Sequence, residues 1–184
     1  MEYRTPLRAK NLGSNIAKPT PKTISRIMES AVDSAALPIA CKKMLAYIPD
    51  NPDLYEFMTG IQYLNFIADI FGVEESARQE RIRKYADLFE LTTDLAQPVA
   101  AYSHGMKQKL AIISAWLHEP KLILMDEPFV GLDPKASHIL KGMMREVCDA
   151  GGAIFFSTHV LEVAEKLCDK VAIIKGGKLI RSGT

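Results

Sequence analysis

From Leu122 onward, short continuously apolar runs alternate with segments whose apolar residues recur every three or four positions. Leu122–Met125, Ala153–Phe156 and Val171–Ile174 read as strands buried on both faces, and Lys135–Asp149 and Val160–Cys168 as amphipathic helices between them. Gly176-Gly177 supplies a turn into a last strand, Lys178–Arg181. Upstream, Met44–Ile48 is strand-like and Pro49-Asp50-Asn51-Pro52 forces a turn after it. Ile61, Leu64, Ala68 and Phe71 then recur at helical spacing, and Glu74–Glu90 predicts a charge-rich second helix with Ile82, Tyr85 and Phe89 inward. Leu91–Ala101, with Pro98, links these to a helix whose one face carries Met106, Leu110, Ile113 and Leu117. The order predicts an α/β fold: a parallel sheet covered by helices, with a small helical subdomain inserted over about 51–101. Residues 1–40, with Pro6, Pro19, Pro21 and Pro38 and no long apolar run, predict an irregular or aberrant segment with one short helix over Thr23–Ala31. The core is then 41–184.

Composition narrows the classes without choosing among enzymes. The 184 residues suit one domain, and 48% hydrophobic with 24% charged residues excludes a disordered or collagenous chain. A net charge of +1, from 23 basic and 22 acidic residues, supplies no field for a polyanion, so nucleic acid is not an expected partner. Cys41, Cys148 and Cys168 are scattered and odd in number, which predicts reduced thiols, mostly buried, rather than disulfides or a zinc site. No uninterrupted run reaches the roughly 20 apolar residues of a membrane span, and the start lacks a signal-peptide core. A cytoplasmic protein is therefore expected, with any membrane contact made through a partner.

The chemistry concentrates between Tyr102 and His159. Leu122–Met125 delivers Asp126 and Glu127 to the carboxyl end of a buried strand, where ligands sit in open α/β sheets. Ser103-His104-Gly105 stands at a helix start, whose free amides and positive dipole end favour anions. Gly131-Leu132-Asp133-Pro134 is a turn before a helix, and Ser157-Thr158-His159 follows an apolar strand. In that order, Tyr102-Ser103-His104-Gly105-Met106-Lys107-Gln108, Leu122–Pro128, Gly131–Pro134 and Ser157–His159 resemble the signature motif, Walker B strand, D-loop and switch histidine of ATP-binding cassette (ABC) ATPases. The resemblance covers roughly Lys43–Gly183 and implies the P-loop NTPase-like (RecA-like) version of the fold.

It also implies roles. Asp126 would hold Mg2+ through its water shell, Glu127 would polarise the attacking water and His159 would contact the γ-phosphate of ATP. Ser103, His104 and Gly105 would face the nucleotide of an opposing subunit, and Asp133 would cross that interface. Asp50 falls where the family places a glutamine that contacts Mg2+, and the helical subdomain resembles the surface that docks onto a permease. Two departures stand out: His104 replaces a usual glycine and Tyr102 a usual leucine. His118 and His138 are assigned to surfaces without function.

A phosphate loop needs G-x-x-x-x-G-K-[ST], glycines letting backbone amides wrap the phosphates and a lysine reaching them. Gly13-Ser14-Asn15-Ile16-Ala17-Lys18-Pro19-Thr20 begins and ends correctly but has Lys18 for the second glycine and Pro19 for the lysine, and proline removes an amide. The Asp50-Asn51-Pro52-Asp53 loop with Tyr102-Ser103-His104-Gly105-Met106 most resembles the ATPase subunit of a two-component, ABC-2-type exporter. Such a subunit couples hydrolysis to a separate transmembrane permease as a homo- or heterodimer, peripheral to the inner membrane face. The alternative is a catalytically defective partner lending only its signature motif to a mixed dimer. A DNA-repair or translation-factor relative is disfavoured by the missing coiled-coil heptads and near-neutral charge.

Overall fold

The computed structural model describes residues 3–9 and 39–183. Its order is β1 (Tyr3–Ala9), α1 (Ile39–Lys42), β2 (Leu45–Ile48), α2 (Gly60–Phe71), α3 (Glu75–Leu88), α4 (His104–Trp116), β3 (Leu122–Met125), α5 (Pro134–Asp149), β4 (Ala153–Phe156), α6 (Leu161–Leu167), β5 (Val171–Lys175) and β6 (Lys178–Gly183). Two 3-10 turns, Thr92–Asp94 and Val99–Ala101, punctuate the return from α3 to α4. The elements foreseen from Met44 onward are all present, with ends shifted by a residue or two. The helix expected over Thr23–Ala31 and the candidate loop Gly13–Thr20 lie outside the described residues.

The strands form one sheet in the order β2-β3-β4-β1-β5-β6. β2, β3 and β4 are parallel, with Ile48, Met125 and Phe156 level with one another. That register puts Pro49, Asp126 and Ser157 along a single rim, each one step past its strand. Period-2 alternation then sorts the side chains. Ile48, Ile123, Met125, Ile154 and Phe156 enter the main core with Leu110, Ile113 and Leu140, while Leu124 and Phe155 form a smaller cluster. The apolar runs are continuous because both sets are buried.

One element departs from the expectation of an irregular amino end. β1 is a strand, and it lies inside the sheet, antiparallel to both β4 and β5. The pairs Leu7↔Phe155 and Ala9↔Ala153 show that it runs away from the rim, so Ala9 ends beside the start of β4.

The helical subdomain is α2 and α3, packed against α4. α2 starts in a capping box: the Thr59 hydroxyl accepts from the Gln62 amide at 3.3 Å and the Gln62 side chain accepts from the Thr59 amide at 2.9 Å. Gly72, at φ 67°, closes it in the left-handed conformation that glycine adopts without strain. Entry and exit are stitched by the Ile61 amide to Leu95 carbonyl, 2.9 Å, and the Val99 amide to Met58 carbonyl, also 2.9 Å.

Candidate functional site: the rim of the parallel strands

Asp126 and Glu127 leave β3 at the rim, half-buried. The Asp126 amide still donates to the Ile48 carbonyl, 2.9 Å, so the sheet fixes its backbone. Glu127 then turns off the strand with φ 44°, a left-handed conformation uncommon outside glycine. Its carboxylate Oε1 lies 3.0 Å from Nδ1 of His159. The two are 32 positions apart in sequence and meet because β4 delivers Ser157-Thr158-His159 level with the end of β3. Thr158 is buried, and its hydroxyl accepts from the Val160 amide at 3.2 Å, which shapes the turn carrying the exposed His159.

In the sequence Ser157 is only the residue that leads into Thr158-His159, and the structure gives it a bridging place. Its hydroxyl donates to Asp126 Oδ1 and accepts from the Glu127 amide at 3.0 Å. Nearby, burial and then the Asp126 charge push the Tyr47 hydroxyl pKa up from its usual value.

The signature-like turn lies on α4. Ser103 is its N-cap, accepting from the Met106 amide at 3.2 Å, and is exposed. His104 is exposed too, and its ring sits against Gly131: a Cβ built on Gly131 would fall 2.5 Å from His104 Cδ2. Gly105 is equally constrained, since a Cβ there would meet the Gly131 carbonyl oxygen at 2.6 Å. Asp133 caps α5 by accepting from the Ala136 amide at 2.8 Å, and Lys109 Nζ lies 2.8 Å from its other oxygen. The Lys109 hydrogen bond, and after it the Ala136 amide, draw the Asp133 carboxyl below its ordinary pKa. Ser103, His104, Gly105 and Asp133 thus form one contiguous corner.

Asp50 is exposed in the turn after β2, two residues beyond Ile48. No group of three His, Cys, Asp or Glu side chains suited to a metal exists among the described residues. Tyr102, expected only as a departure from leucine, is buried and donates from its hydroxyl to the Asp94 carbonyl at 2.7 Å. His138 is on the surface as expected, whereas His118 is half-buried. Its ring stacks on Phe71 at 3.7 Å between centroids, with Nε2 3.2 Å from the Leu45 carbonyl. Of the cysteines, Cys148 is buried and Cys41 and Cys168 are half-buried; burial pushes the Cys168 thiol up to about 12, so it stays protonated.

A rim of parallel strands that carries adjacent carboxylates against a histidine is where an open α/β sheet takes its ligand. Residues 15–130 match the ABC transporter family, and the chain belongs to it. An uncharacterized ABC transporter ATP-binding protein of Nostoc sp. is 37% identical over 145 residues, covering 78% of this chain and 43% of that protein. A solved structure described as the ATP-binding subunit of an ABC transporter is 40% identical, with a TM-score of 0.75 over 78% of this chain and 60% of that one. The structure of cbiO1 from Clostridium perfringens, described as part of the ABC transporter complex cbiONQ, is 26% identical with a TM-score of 0.62, covering 77% of this chain and 57% of that one. The chain spans about half the length of the curated relatives it matches. The family match begins at Asn15, so the likeness reaches upstream of the Lys43 start suggested by the motifs.

Proposed function

We propose that this chain is an ATP-binding subunit of an ABC transporter, working as one half of an ATPase dimer beneath a separate membrane permease. No helix among the described residues is long and apolar enough to cross a membrane, which suits peripheral attachment through that permease. The observation carrying the reading is the 3.0 Å contact between Glu127 and His159 at the strand rim beside Asp126. The donor set suits Mg2+ only together with phosphate oxygens and waters, because His159 engages Glu127 and Ser157 engages one oxygen of Asp126, and Mg2+ readily keeps such a shell. When bound, Mg2+ neutralises phosphate charge. Glu127 accepts a hydrogen bond from, and so orients, the attacking water, and His159 holds Glu127. Ser103 and Gly105 present helix amides to the triphosphate of the facing subunit. His104 beside them would add an imidazole donor, and Asp133 would sit at the seam. Asp50, exposed on the loop after β2, would add a second carboxylate to the shell of the hydrated cation. Tyr55 and Phe57, exposed on the same loop and tilted against each other, with Tyr55 edge-on to Phe66, form an apolar surface suited to a permease loop.

A second reading has its own support: a subunit that lends the Ser103-His104-Gly105 corner to an intact ATPase and hydrolyses little itself. Lys18 and Pro19 spoil the phosphate-loop pattern, and β1 runs away from the rim that such a loop must face. Titration with a fluorescent ATP analogue and Mg2+, beside a phosphate-release assay, separates the two. The second reading requires very weak binding and negligible turnover by the purified chain. A robust rate abolished by Glu127→Gln would overturn the second reading and establish the first.

A further inference from the structure

The geometry points to Ser157 as the positioning residue of this rim, an inference that rests on the nucleotide-site reading of Asp126 and Glu127. Leu124 and Phe155 are register partners, and Asp126 and Ser157 each lie two residues beyond them. Alternation along a strand therefore brings these two side chains onto the same face of the sheet, adjacent to one another. The Ser157 backbone has no freedom to move away, because its amide donates to the Met125 carbonyl at 3.0 Å.

A serine hydroxyl has one proton to donate and lone pairs to accept with. Here the proton goes to Asp126 Oδ1 and a lone pair receives the Glu127 amide at 3.0 Å. The first bond fixes the rotamer of Asp126 by occupying one oxygen, leaving the other for a hydrated cation. The second secures the left-handed turn of Glu127, φ 44°, a conformation strained for a residue with a Cβ. That turn carries the Glu127 carboxylate to His159. One hydroxyl thus sets the aim of both carboxylates. Hydrogen bonds behind a metal-side carboxylate characteristically control affinity.

Ser157→Ala removes both bonds at no cost in volume, and Ser157→Thr keeps the hydroxyl. Amide hydrogen exchange of the 15N-labelled chain reads the first consequence without any ligand. The Glu127 amide should exchange about fivefold or more faster in Ser157→Ala, as loss of one hydrogen bond requires, and Ser157→Thr should restore it. The ladder amides of Ile123, Met125 and Phe156 report that the sheet is intact. Mn2+ with ATP probes the second consequence by EPR: the apparent Mn2+ dissociation constant should rise about tenfold in Ser157→Ala and return in Ser157→Thr. Unchanged Glu127 exchange in Ser157→Ala overturns the assignment. Failure of the wild-type chain to take up Mn2+ with ATP overturns the nucleotide reading instead, and the exchange experiment still decides the placement of Ser157.

Discussion

At the scale of single residues, the departures from the family pattern acquire physical reasons. His104 fits because Gly131 opposite it has no side chain, and Gly131 is itself at φ 78°, where a Cβ is strained. Gly131→Ala should therefore be destabilising by about 2–3 kcal/mol, combining left-handed strain with the clash against the imidazole. Adding His104→Gly should recover the steric part and leave roughly 1 kcal/mol of backbone strain. Denaturant midpoints of the two single variants and the double variant measure this coupling. Strict additivity would mean that the ring does not rest on Gly131.

At the scale of elements, the helical subdomain is held by contacts that reach back to α4. Tyr102, one residue before the Ser103 cap, sends its hydroxyl to the Asp94 carbonyl, and a Cβ on Gly60 would fall 2.2 Å from that oxygen. The start of α2 can approach so closely only with glycine at 60. Gly60→Ala should lower the melting temperature and shift α2 outward. Tyr102→Phe should cost about 1 kcal/mol by removing one hydrogen bond and leaving the Asp94 carbonyl with the Gln97 amide alone, yet make Gly60→Ala better tolerated. Thermal melts of the three variants check the sign of the coupling. Lys107 and Glu56 add an ion pair between α4 and the loop after β2, worth little alone because Glu56 is exposed.

At the scale of the whole molecule, His118 joins the sheet edge to the helical subdomain. Burial first, with help from the Arg81 charge, lowers its pKa below 6.5, while the Leu45 carbonyl opposes the shift. Its Nδ1 is buried without a partner among the described residues. A base depressed in the folded state is protonated earlier in the unfolded chain, so stability is full above pH 6.5 and falls as the pH drops through the folded value. Urea unfolding from pH 7.5 to about 5 should show this fall, and His118→Gln should flatten the part that this group contributes. An unchanged pH slope in His118→Gln would refute the assignment.

Much of this was legible beforehand, and its limit follows the range of the forces involved. Periodicity, turn residues and caps act over a few neighbours, so the amino-acid sequence alone determined the strands from Leu45 to Lys175, the helices between them and the placing of Asp126 and Glu127 at a strand end. It also marked Ser103 and Asp133 as helix starts. Tertiary structure decided what depends on register and approach: the hydroxyl of Ser157 reaching a carboxylate 31 positions away, His104 resting on Gly131, Tyr102 and His118 turned inward, and β1 slotted into the sheet interior. Those contacts join residues far apart along the chain, and only the folded sheet brings them within hydrogen-bonding distance.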